Sequence, residues 1–269
     1  MAVTPYPTAG YSNAAALKET VTIGGTDGAR GSMKELVLAY RKKNPEISLV
    51  IIPRLGTRGG IKAVSEGALD IGLAGRPLNS AEIATGIKGI VYATSPFIFV
   101  TSNAAGMNLT FDIIERIYAG ELRQWPDGTQ IRVILRPEGD VDTIILKGIS
   151  PAMEKAVKKA HSREGMNVAM TDQDSADMVE KLGGSFGTTT LTQVISEKRQ
   201  LTVLPVSGTT PSLKTIADNR YPFYKKFTMV ISSKSSPVAR DFIEFVKSSE
   251  GRAILMRTGN NVPKAEKVE

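Results

Sequence analysis

Strand and helix signals alternate along this chain at intervals that only layered α/β packing accommodates, and this constrains the fold more than any other feature. Val21–Gly24 is a short β-branched run ending in glycine. Ser32–Lys43 sets Met33, Leu36, Val37 and Tyr40 at helical spacing, and Asn44-Pro45 ends it. Ile47–Pro53, apolar but for Ser48, reads as a strand of a parallel sheet covered on both faces. A helix start at Gly59–Glu66, a strand at Leu69–Ala74, a helix near Ser80–Gly86, a strand at Ile90–Tyr92 and the run Pro96–Thr101 complete a βαβαβαβ series.

The remainder repeats the style. Thr110–Tyr118 reads as a helix with a polar cap and an acidic first turn, and Ile131–Leu135 as a strand. A helix follows the Glu138–Asp142 loop, Asp174–Lys181 is another, and strands run through Ser185–Thr188 and Leu201–Pro205. Phe227–Ser232 is a further strand. Pro237–Arg257 reads as one long amphipathic helix with Phe242, Ile243, Val246, Ile254 and Leu255 on its stripe. A chain of 269 residues suits two such α/β units, each with its own core.

Composition excludes several classes. There is no cysteine, which removes disulfides, thiolate nucleophiles and Cys-ligated metals, and the lone histidine, His161, makes no metal site. His161 reads as a residue at a helix C-terminus. Net charge is +7, but Arg41-Lys42-Lys43, Lys155/Lys158/Lys159 and Lys225-Lys226 are scattered and read as solvated faces, so no nucleic-acid partner is expected. Even the apolar run Val91–Val100 is too short to span a membrane. Residues 1–20 lack a basic and an apolar signal region and read as a loose lead-in.

Gly183-Gly184-Ser185-Phe186-Gly187 satisfies the G-x-S-x-G pattern, but no histidine lies downstream to serve the serine. Gly25, Gly28 and Gly31 brush against the dinucleotide fingerprint without its G-x-G start, and no Lys-Ser/Thr follows a glycine pair as a phosphate-binding P-loop requires. Trp125, in QWPDG, reads as structural packing.

RLGTRGGIKAVSEGALDIGLAGRPLNSAE (Arg54–Glu82) resembles the phosphate-binding proteins of bacterial ABC importers, with their glycine-rich turn, helix, Asp-hydrophobic-Gly strand and Pro-Leu turn. FDIIERIYAGELRQWPDG (Phe111–Gly128), the run IRVILRPEGDVDT and the tail Phe242–Pro263 are similar to later segments of that family. The resemblance implies two doubly wound α/β lobes of the type II periplasmic-binding kind around a central ligand cleft. Lobe one is discontinuous (1–101 and 222–269), lobe two covers 102–221, and Pro96–Ser102 and Tyr221–Ser232 cross between them. It implies a monomeric, non-enzymatic receptor on the periplasmic or extracellular side that hands a small anion or zwitterion to ABC permease subunits, without cofactor or metal. A sensor of the same fold without a transport role is the alternative; a transcriptional regulator would need a DNA-binding module, for which residues 1–20 are too few.

Carried over loop by loop, the resemblance assigns Thr26, Asp27 and Gly28 to the first ligand loop. Thr57, Arg58 and Gly59 form the second, Gly75 and Arg76 the third, and Arg136, Glu138 and Asp140 the fourth. Such loops bind oxyanions because helix-opening N–H groups, hydroxyls and an arginine fork converge on one point. Gly75 stands where the family has a proton-accepting aspartate, and Asp140 and Asp142 stand where it has hydroxyls. Either these acids cap their own helix, as Asp27 would, so that the protein fills its own cradle, or Arg58, Arg76 and Arg136 face Asp27, Glu138 and Asp140 across one cleft. Both readings predict weak binding of inorganic phosphate.

Overall fold

The computed structural model describes residues 19–263. The lead-in expected over 1–20 lies outside them except for Glu19 and Thr20, which open the first strand. The chain begins β1 (Glu19–Gly25), α1 (Arg30–Lys43), β2 (Ile47–Ile52), α2 (Gly56–Glu66), β3 (Ile71–Ala74), α3 (Ser80–Ile83) and β4 (Lys88–Thr101). It continues through α4 (Phe111–Ala119), β5 (Arg132–Leu135), α5 (Val141–Lys147), α6 (Pro151–Ser162), β6 (Asn167–Val168), α7 (Asp172–Lys181) and β7 (Ser185–Thr190). Then come α8 (Leu191–Glu197), β8 (Thr202–Leu204), α9 (Leu213–Ala217), β9 (Tyr224–Ile231), α10 (Pro237–Lys247) and α11 (Ser249–Arg257).

The strands are ordered β2-β1-β3-β9-β4-β7-β5-β6, with β8 also on β4. β1 runs parallel to β2 and β3, and β5 parallel to β7 and β6. Between these parallel sets lie the two long antiparallel strands. β9 holds β4 from Lys88 to Pro96, and β7 takes over at Phe97. Pro96 sits where the ladder changes partner, a position that tolerates its missing N–H. The two strand signals read between Ile90 and Thr101 are therefore one strand, bulged between Val91 and Ala93.

Alternation along these strands builds cores on opposite faces. On β3 and β9, Ile71, Leu73, Phe227 and Met229 face a core with α1, α10 and α11, while Ala74 and Val230 turn to one under α2 with Ile61 and Val64. On β4, Phe97 and Phe99 join Tyr118, Trp125, Phe186 and Tyr221, whereas Ile98 and Val100 turn to a core with Ala169 and Val179 of the α7 side. Covered on both faces, each parallel set is doubly wound.

Two local expectations are corrected. β2 is an edge strand paired only with β1, and Val50 is exposed, so its apolar run is not covered on both faces. The long C-terminal helix is two: Ser248, with ψ 167°, ends α10 and caps α11 by accepting the Gly251 N–H (3.2 Å). A serine hydroxyl that satisfies a helix-starting N–H favours this break over continuing the apolar stripe.

Candidate functional site

The site is assembled where the C-terminal ends of β1 and β3 meet the loops after β5 and β6. Two helices point at it from the first half, α1 and α2. Neither has a side-chain cap, with Ala29 and Leu55 at their N-cap positions. Every other described α-helix has such a cap, from Asn79 of α3 to Ser248 of α11. The first turns of α1 and α2 thus keep backbone N–H groups free of capping side chains beside the site.

Thr26 directly follows β1, and its hydroxyl is buried. Thr57, in the first turn of α2, accepts the Gly75 N–H (3.0 Å). A Cβ at Gly75 would lie 3.5 Å from the Thr57 hydroxyl and 3.7 Å from that of Thr26. Position 75 therefore looks at the same point, with no acceptor to offer. From the second half, Arg136 leaves the end of β5 and is 5% exposed. Asp172, the first residue of α7, sits behind the Thr171–Asp174 capping box, so the helix start fixes where its carboxylate goes.

That carboxylate is the centre of the site. Thr26 Oγ1 donates to Asp172 Oδ2 at 2.9 Å, and the Asp27 N–H donates to the same oxygen at 3.1 Å. Asp172 Oδ1 accepts from Arg136 (3.4 Å) and from Lys225 Nζ (3.3 Å). Lys225 also pairs with Asp142, and Arg136 with Asp140 at 2.9 Å. Asp142 accepts the Thr188 hydroxyl (2.9 Å). Lys225 lies on β9 with Phe227, so strand alternation carries it inward, its ammonium 5.8 Å from the Phe97 ring centroid.

The charge balance sets the protonation states. Burial alone would raise Asp172, but Lys225, Arg136 and the Thr26 hydroxyl outweigh it and hold this acid well below the usual carboxylate range. Burial opposes the charge on Lys225, yet Asp142, Asp172 and Asp140 keep it firmly protonated. Asp140 is pushed up to about 6, first by burial and then by Asp142, despite Arg136. Asp27 is raised by burial and by Asp172. Acids outnumber bases here, and Asp140 carries the consequence.

The carried-over positions separate into three groups. Thr26, Asp27, Thr57, Gly75, Arg136 and Asp140 converge on the centre or its rim. Gly28 joins through its backbone, its carbonyl accepting the Thr190 hydroxyl at 2.7 Å and tying the two halves together. Arg58 lies over Gly139: a Cβ there would meet the guanidinium at 2.7 Å. Gly59 is in the second turn's approach, against Leu55. Arg76 is drawn off by a two-bond pair with Glu82 (2.7 and 2.8 Å), and Glu138 faces solvent toward Lys147 at 3.7 Å. Of the six charges, Arg58, Arg76 and Asp140 share one pocket and Arg136 pairs with Asp140, whereas Asp27 and Glu138 turn to other partners. Asp140 does cap its helix, accepting the Asp142 N–H at 2.9 Å, whereas Asp27 accepts the Arg54 N–H at 3.2 Å instead of capping α1.

Beside the buried centre a pocket of ≈ 240 Å³ is lined by Thr57, Arg58, Arg76, Gly139, Asp140 and Ile144, among others. Asp140 belongs to both. Ser185, of the G-x-S-x-G pattern, is fully buried and donates to the Val179 carbonyl (2.7 Å). Trp125 is buried and donates to Gly184 O at 3.0 Å. His161 lies in the last turn of α6. Among the described residues no helix is long and apolar enough to cross a membrane, and no His/Asp/Glu cluster suits a metal.

A family model described as the PBP superfamily domain matches residues 10–250. The chain belongs to this superfamily. The phosphate-binding protein PstS of Borreliella burgdorferi is 25% identical over 253 residues, covering 90% of this chain and 89% of that one. PstS of Bacillus subtilis is 23% identical over 266 residues, 91% of this chain and 80% of that one. A structure from Clostridium perfringens, described as a phosphate ABC transporter substrate-binding protein with bound phosphate, superposes with a TM-score of 0.77 at 22% identity. It is matched over 91% of this chain and 100% of its own. The PBP superfamily chain has the type II periplasmic-binding fold expected from its motifs.

Asp172 and Lys225 were not among the residues the loops suggested. Lys225-Lys226 reads as a solvated pair, but the alternation Tyr224 out, Lys225 in, Lys226 out, Phe227 in was a usable signal. Asp172 had none: only the turn of α7 toward the first half brings it to Thr26.

Proposed function

We propose that this protein is an extracytoplasmic solute-binding receptor of a phosphate-type ABC importer, taking a small anionic or zwitterionic solute between two lobes. The observation carrying this reading is the convergence of Thr26, the Asp27 N–H, Arg136 and Lys225, from both halves, on one negatively charged oxygen pair. That donor set is suited to an anion and offers no base poised on a nucleophile, which supports a receptor over an enzyme. The PstS relatives support the transport class.

On this reading the lobes are residues 1–101 with 222–269, and 102–221, hinged where β4 and β9 cross. Permease subunits are the partners of the closed, liganded monomer. Inorganic phosphate binds the wild type weakly, because position 75 has no acceptor and Asp172 already fills the cradle. Each charge-assisted bond lost to phosphate removes roughly 1.5–3 kcal/mol.

Calorimetry of the wild type against dicarboxylates, phosphate esters, amino acids and inorganic phosphate tests the reading. An organic anion or zwitterion should bind, Arg136→Ala should abolish it, and small-angle scattering should show a smaller radius of gyration when it is bound. Binding unaffected by Arg136→Ala would overturn the reading.

A further inference from the structure

We propose that the Asp172 carboxylate is a built-in occupant of an oxyanion cradle, which a solute's carboxylate or oxyanion group enters by displacing it. The inference rests on the anion-receptor reading and says what stands in the cradle before the solute arrives.

Four observations carry it. The first is the donor set. A buried carboxylate needs donors on both oxygens, and here a hydroxyl and a backbone N–H from the other half of the molecule serve one of them. Asp172 accepts both, from Thr26 and Asp27, beside a guanidinium and an ammonium. Those are the donor types that hold a free oxyanion.

The second is charge. Without Asp172 the neighbouring ions still close as pairs, Arg136 with Asp140 and Lys225 with Asp142. Asp172 is the charge the cluster does not need for its own neutrality, and an external anion replaces it one for one.

The third is unused capacity. Arg136 Nε is buried without a hydrogen-bond partner. Two carboxylate oxygens already share four donors and leave this one over, so an anion with more oxygens is better matched to the cradle than Asp172 is.

The fourth is access and bridging. The pocket lined by Thr57, Gly139 and Asp140 adjoins the cradle and gives room for the rest of a solute. Asp172 meanwhile spans the two halves through Thr26 and Asp27, alongside Thr190 to Gly28 and Arg54 to Asp174 (3.3 Å). It makes, from within, the bridge that a bound solute makes in a two-lobed receptor.

The test titrates inorganic phosphate and formate, separately, into the wild type, Asp172→Ala, Asp172→Asn and the double variant Asp172→Ala with Arg136→Gln. Circular dichroism first confirms which variants fold. Asp172→Ala should bind at least one probe about 30-fold or more tighter than the wild type, a gain of the size expected when a charged competitor is removed. Asp172→Asn keeps the space filled and should gain far less, and the double variant should lose the gain.

A folded Asp172→Ala no tighter than the wild type for either probe overturns the proposal. So does an equal gain in Asp172→Asn, which would indicate general loosening, or a gain that survives Arg136→Gln, which would place the anion elsewhere. If Asp172→Ala does not fold alone, folding restored by millimolar formate supports the proposal, and failure of both probes to restore it counts against it. A wild type that binds an organic anion while Asp172→Ala gains nothing sinks this inference and leaves the receptor reading standing. No anion binding by the wild type or any variant sinks both.

Discussion

The two rims of the site are built on different physics. The rim from the first half presents mainly neutral groups to the centre, the hydroxyls of Thr26 and Thr57 and glycine backbone, while its charged side chains pair locally, Asp27 with Arg30 and Arg76 with Glu82. Its precision comes from close approach of backbones. A Cβ on Gly60 would stand 2.7 Å from Gly24 O, and one on Gly25, at φ +144°, would stand 2.0 Å from Leu73 O. The opposite rim, with Lys225 from the crossing strand, is a buried lattice of alternating charges. One rim is set by steric exclusion and the other by electrostatic compensation, so they should fail under different perturbations.

The largest effect is expected at Lys225. Lys225→Met leaves Asp142 and Asp172 buried without their ammonium, which should cost about 3–5 kcal/mol. Urea denaturation measures it, and adding Asp172→Asn should recover part of the loss. A cost below about 1 kcal/mol would mean that the charged rim is hydrated rather than buried.

Next comes pH. Asp140 sits at about 6 in the fold, above its unfolded value, so the folded state binds the extra proton between about pH 4 and 6. Stability contributed by the neutral acid is present at the lower pH and is lost as pH rises through 6, by no more than about 3 kcal/mol. Asp172 acts in the opposite sense: held low, it contributes stability above about pH 4 that is lost on further acidification. Stability should therefore peak near pH 4, and Asp140→Asn should flatten the limb between about pH 4 and 6. An unchanged limb in that variant would assign the titration to another group.

A smaller effect is expected on the neutral rim. Gly60→Ala pushes against backbone that has nowhere to go and should cost about 1–3 kcal/mol. Unlike the Lys225 loss, this one should be the same at pH 5 and pH 7. A strong pH dependence would show that the two rims are coupled.

The smallest is at Glu82. Glu82→Gln breaks the two-bond pair with Arg76 at the edge of the pocket and should cost under about 1 kcal/mol. It also frees the Arg76 guanidinium at the pocket wall, so a several-fold gain in anion affinity would make Arg76 a ligand contact that Glu82 holds back.

Much of the fold was legible in the chain because its signals are local. Met33, Leu36, Val37 and Tyr40 mark the buried face of α1 by period alone, and all four are buried. Asn44-Pro45 and Gly67 end helices by backbone restriction. Thr26, Thr57 and Arg136 were named on a different ground, the resemblance of their loops to those of the phosphate-binding family, and their partners at the site are 18 to 146 positions away. Ser248 was harder. The apolar stripe of Pro237–Arg257 continues across it, and the break shows only in the extended backbone of Ser248.

What the sequence determined by itself was the order of strands and helices, the loops that turn toward one another and the chemistry of the residues in them. Only the tertiary structure decided which charge sits at the centre. Asp172 and Thr26 are separated by 146 positions, and Lys225 and Asp172 by 53, so no local period relates them. Their meeting follows from the pairing of β9 with β4, which sets Lys225 beside Ser95, and from the place of Asp172 at the start of α7. A buried charge takes its partner from whatever the fold brings within reach, because the low-dielectric interior penalises it until it is paired. Helical and strand periods act over a few residues and can be read in order, whereas electrostatic compensation acts through space.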